Sequence, residues 1–181
     1  MSSERSASAA EMAGTTAPAL PQSIFFHNLV GNPGAEEGSA SPDGQTVVPI
    51  PQWTVTGNLN VVAYGTPGEF PTPTDPGPPN RGAKLFVGGP AFAVATGAQT
   101  VLVPPNDQWL IDMGFIMFDL QGYLGGYGDE RDYAEFGVTF FDGIGAVLLE
   151  SIIGPVTREQ RGNLTGLRAR GTGGMVPAGT R

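Results

Sequence analysis

The sequence contains no cysteine. That excludes disulfides and thiolate metal sites, and it leaves the compartment open. There is one histidine, His27, so a multi-histidine metal site is impossible. His27 falls in an apolar run and reads as a structural or surface residue. Lys and Arg number 9 against 17 Asp and Glu, for a net charge of -8 and a pI of about 4.4. With so few basic residues and no basic stripe, nucleic-acid binding is excluded as a working reading. No apolar run approaches the roughly 18 residues of a membrane span. Residues 1–22 carry no 7–15-residue apolar core of a secretion signal. Gly-x-Ser-x-Gly, His-Glu-x-x-His and P-loop patterns are all missing, so no familiar catalytic motif is present.

What is present is glycine (28), proline (17) and 40% hydrophobic residues in 181. The glycines and prolines lie between short runs rich in aromatic and β-branched residues. That distribution predicts one all-β domain of many strands joined by turns. Residues 1–22 are small, polar and aperiodic, and read as a flexible N-terminal tail before a β-module over 23–181. Strands are expected at 24–30, 53–57, 58–64, 84–89, 98–103, 115–124, 134–142, 146–153 and 167–170. Residues 104–107 read as a turn, and 122–128 as a strand end with bulges. Residues 176–181 read as the approach to another strand. Residues 65–82 form a loop stiffened by six prolines, with Tyr64 and Phe70 near its ends. Thr157 and Gln160 make a capping box, and Gly162 limits the helix to one turn. Asn163-Leu164-Thr165 is a formal glycosylation sequon.

Two acidic clusters carry the candidate chemistry. The stretch 28–38 runs Asn-Leu-Val-Gly-Asn-Pro-Gly-Ala-Glu-Glu-Gly, ending in adjacent carboxylates within a tight turn. A carboxylate there, with turn carbonyls, is the oxygen set that hard cations such as calcium take. A solvated acidic turn is the competing reading. The second cluster is Asp129-Glu130-Arg131-Asp132, just before the alternating strand at 134–142. Trp53 alternates with Val55 and reads as a core tryptophan rather than a sugar platform.

The Asn-Pro-Gly-x-Glu-x-Gly opening followed by a Trp-containing strand resembles the galactose-binding-like β-sandwich, the jelly roll of many carbohydrate-binding modules. Asn80-Arg81-Gly82 before a strand ending Gly88-Gly89 adds to the resemblance, as does Phe140-Phe141-Asp142-x-x-Gly145 closing a hairpin. The likeness spans about 24–181, and it implies two further strands beyond residue 181. The module would then be incomplete at its C-terminus, with an open sheet edge. The resemblance implies an antiparallel sandwich and a non-catalytic extracellular binding module, stabilised by calcium and recognising a glycan. Glu36 is the implied cation ligand, with Glu37 and Asp132 as weaker candidates. Trp109, Tyr64 and Tyr127 are the candidate ligand-binding aromatics. The alternative is a structural or adhesive subunit completed by a partner's strand at the open edge. A carboxylate pair hydrolysing a glycosidic bond, Glu36 or Glu37 with Asp132, is a third reading, which ranks below the other two.

Overall fold

The computed structural model describes residues 23–181, so the expected flexible tail at 1–22 lies outside the described residues. The described chain is β-rich with one short helix. Strands β1 (Thr54–Thr56) and β4 (Thr96–Ala98) pair antiparallel. So do β2 (Asn60–Ala63) and β3 (Lys84–Val87). Strand β5 (Met117–Gly126) pairs along its whole length with β8 (Gly166–Met175), and β6 (Phe136–Phe141) makes a hairpin with β7 (Val147–Ile153). Each sheet has two strands.

The local reasons are visible in the sequence. Phe136, Val138 and Phe140 alternate with Gly137 and Thr139, giving β6 one apolar face. Asp142 closes the hairpin: its Oδ1 accepts the N–H groups of Ile144 and Ala146 at 3.0 and 2.8 Å. Gly145 supplies the positive φ of 86° that this turn requires. In β5, Leu120 and Leu124 point one way and pack with Ile153 and Val156, supported by Phe118, Phe136 and Val138. The hairpin therefore lies on that face of the β5–β8 ribbon.

A second core holds Ala35, Ile50 and Val61, against which Trp53, Leu59 and Phe86 pack. Trp53 meets Phe86 edge-on with centroids 5.4 Å apart. This half is pinned by Asn60, which is fully buried. Its amide donates to the carbonyls of Gly44 and Thr46 and accepts the N–H groups of Val48 and Val61. The two halves are stitched by the proline-rich loop, whose Pro76 carbonyl accepts the Leu167 N–H at 2.8 Å.

Several expectations are corrected. Residues 24–30 form no strand; Ile24 and Phe25 instead pack against Val103, Ile111 and Val176. Only Thr96–Ala98 is a strand in the region expected at 98–103. The turn expected at 104–107 opens helix α1 (Pro105–Asp112), which has proline in its first turn and Asp107 acidic there. Gly114, at φ 72°, ends it. Residues 122–126 run in unbroken register without a bulge. The strand expected at 167–170 is the ten-residue β8, and 176–181 turns back rather than extending. Val55, expected to share the core face with Trp53, is exposed.

Candidate functional site

A cleft of about 1430 Å³ opens between the β2–β3 half and the β5–β8 ribbon. One wall carries Tyr64, Phe70 and Arg81. The other carries Gln121, Tyr123, Tyr127, Glu130, Asp132 and Tyr133. Tyr64 is placed by the end of β2, where its N–H donates to the Ala83 carbonyl at 3.0 Å. The Arg81 guanidinium lies 5.2 Å from the Tyr64 ring centroid. It also ties the proline-rich loop together by donating to the carbonyls of Thr72, Asp75 and Pro78. Burial raises the Tyr64 phenol above its usual pKa, while Arg81 opposes this. Tyr64 is therefore a neutral phenol at physiological pH, able both to donate and to accept.

Across the cleft, Glu130 is pushed above the usual carboxylate range. Desolvation is the first cause, followed by a side-chain hydrogen bond to Glu69 and repulsion from Asp132, Glu69 and Asp129. The cleft thus combines aromatic rings with carboxylate, amide and guanidinium groups. Such a surface can stack on a sugar ring and bond its hydroxyls.

The sequence candidates separate in space. Tyr64 and Tyr127 share this cleft, as expected. Trp109 does not line it; it sits exposed on α1. The trio Glu36, Glu37 and Asp132 is not brought together, and among the described residues no group of three or more acidic or histidine side chains converges. Glu36 turns its Oε1 onto the backbone N–H groups of Ala83 and Lys84, both at 2.9 Å. The Lys84 ammonium donates to the carbonyls of Glu36 and Gly38 at 2.9 and 2.6 Å. The chain's own cation therefore stands beside the turn carbonyls that an ion would use. Glu37 accepts both of its bonds from Gln52 Nε2, and Asp132 belongs to the cleft wall. His27 is exposed.

Sequence reasoning missed Lys84 and Arg161. Arg161 is 2 % exposed and donates through Nη2 to the carbonyls of Tyr127, Gly128 and Glu130. Both acidic clusters are thus organised by a basic residue far away in sequence. Only a lone basic residue in a β-rich half, such as Lys84, hinted at this. No family model, curated protein or solved structure matches the chain.

Proposed function

We propose that this chain is a non-catalytic, extracellular β-module that binds an oligosaccharide in the cleft between Tyr64 and Tyr127. The observation that carries the reading is the gathering of Tyr64, Phe70, Tyr123, Tyr127 and Tyr133 around one open groove, with Gln121, Arg81 and Asp132 beside them. Aromatic rings supply stacking area, and the polar groups fix hydroxyl positions. A jelly-roll arrangement of the paired strands belongs to the same proposal. Calcium enters it in one narrow form: an ion at the Glu36 turn would take over the carbonyls now held by Lys84. The test is titration calorimetry with cellohexaose, xylohexaose and mannohexaose. Binding that falls at least about tenfold in Tyr127→Ala and Tyr64→Ala, but not in Trp109→Ala, supports the cleft. Failure of all three sugars to bind, or equal binding by every variant, overturns it.

A second reading is favoured by one observation: every sheet has only two strands, so each strand presents an unpaired edge. An assembly subunit that accepts a partner's strand would use such an edge.

A further inference from the structure

The fully buried Arg161 is an anomaly. Nη2 is satisfied by three carbonyls, yet Nε and Nη1 have no partner. A buried guanidinium without a counter-ion is one of the costliest arrangements a fold can hold. Among the described residues the ion pairs are Arg158–Glu159 and Arg181–Asp112, so Arg161 has none.

Gly126 shows where the counter-ion can stand. A Cβ on Gly126 would collide with Arg161 Nη1 and lie 3.0 Å from Asp132 Oδ1. The space that the missing methyl leaves is therefore bounded by the cation on one side and a carboxylate on the other. An oxygen entering it reaches the orphaned Nη1. Glu130 is engaged with Glu69, whereas Asp132 makes no hydrogen bond or ion pair that holds it outside. We propose that Asp132 is the counter-ion of Arg161, and that the pair latches the 127–132 loop over Gly126.

The proposal rests on the cleft reading for its consequence. Unlatched, Asp132 presents its carboxylate to a hydroxyl in the cleft. Latched, it is withdrawn onto Arg161, and Tyr127 and Glu130, whose carbonyls Arg161 already holds, are drawn in with it. A ligand that uses Asp132 then shifts the population toward the open state.

The experiment is ligand-free NMR of the arginine Nε–H groups in the whole chain. The expected result is a slowly exchanging Arg161 Nε–H whose exchange quickens about tenfold or more in Asp132→Asn and in Gly126→Ala, which fills the gap. Asp129→Asn, beside the loop but away from Gly126, should leave it unchanged. Exchange and chemical shift of Arg161 that are the same in Asp132→Asn as in the native chain overturn the latch. Because no sugar is added, loss of the latch leaves the cleft reading standing, and absence of sugar binding leaves the latch standing.

Discussion

At the residue scale, single buried polar groups decide more than the composition implies. Asn60 satisfies four partners with one side chain and is wholly enclosed. Removing it leaves buried backbone groups unpaired, so Asn60→Ala should cost about 2–4 kcal/mol, read as a lowered urea midpoint. Lys84 acts from the opposite sign of charge. Lys84→Met keeps the stem but frees the carbonyls of Glu36 and Gly38. It should cost about 1–2 kcal/mol, and added calcium should restore part of the midpoint if an ion can enter the turn. An unchanged melt in Lys84→Met would show that the turn does not need a cation. Glu130 gives a pH prediction. Its folded pKa is raised, so the folded state disfavours its ionised form, and the penalty appears as pH rises through the unfolded carboxylate range. Glu130→Gln should therefore raise the melting temperature at pH 7 and leave it unchanged near pH 3.

At the element scale, two short devices set the geometry of the ribbon ends. Thr157 and Gln160 exchange capping bonds at 3.3 Å each way. Gly162, at φ 69°, then donates to the Glu159 carbonyl while Asn163 reaches back to Arg158. This is a one-turn helix closed at both ends, and it carries Arg161 into the core. Gly162→Ala must hold a left-handed conformation and should destabilise by about 1 kcal/mol, measured by thermal unfolding. The hairpin strands and the helical turn were legible because each is written in local sequence: alternation for 136–141, Asp-Gly for the turn, a capping box for 157–160. Helix α1 was not read, since two adjacent prolines look like a turn. The acidic residue after them and Gly114 were the signals that distinguish a helix start and stop.

At the scale of the whole molecule, the arrangement leaves apolar surface uncovered. Val147, Leu148, Leu149 and Ile152 on β7 are exposed, with Phe141 and Ile144 beside them. A row of apolar side chains beside an unpaired strand edge favours association. Sedimentation equilibrium should show concentration-dependent oligomers that Ile152→Lys abolishes. A monomer across the full concentration range would remove the assembly reading and leave the cleft.

Sequence alone determined the β-rich class, because the period-2 alternation and the glycine and proline punctuation are local properties of the chain. It also placed the 58–64, 84–89 and hairpin strands to within a few residues, and named Tyr64 and Tyr127. The tertiary structure decided the rest. The pairing of β5 with β8 joins segments about fifty residues apart, and no local pattern encodes that register. The same holds for the cleft, which exists only because the proline-rich loop is tied to the start of β8. It holds too for the two acidic clusters: a carboxylate's partner is set by what the fold brings near it, and here the fold brought Lys84 to one cluster and Arg161 to the other.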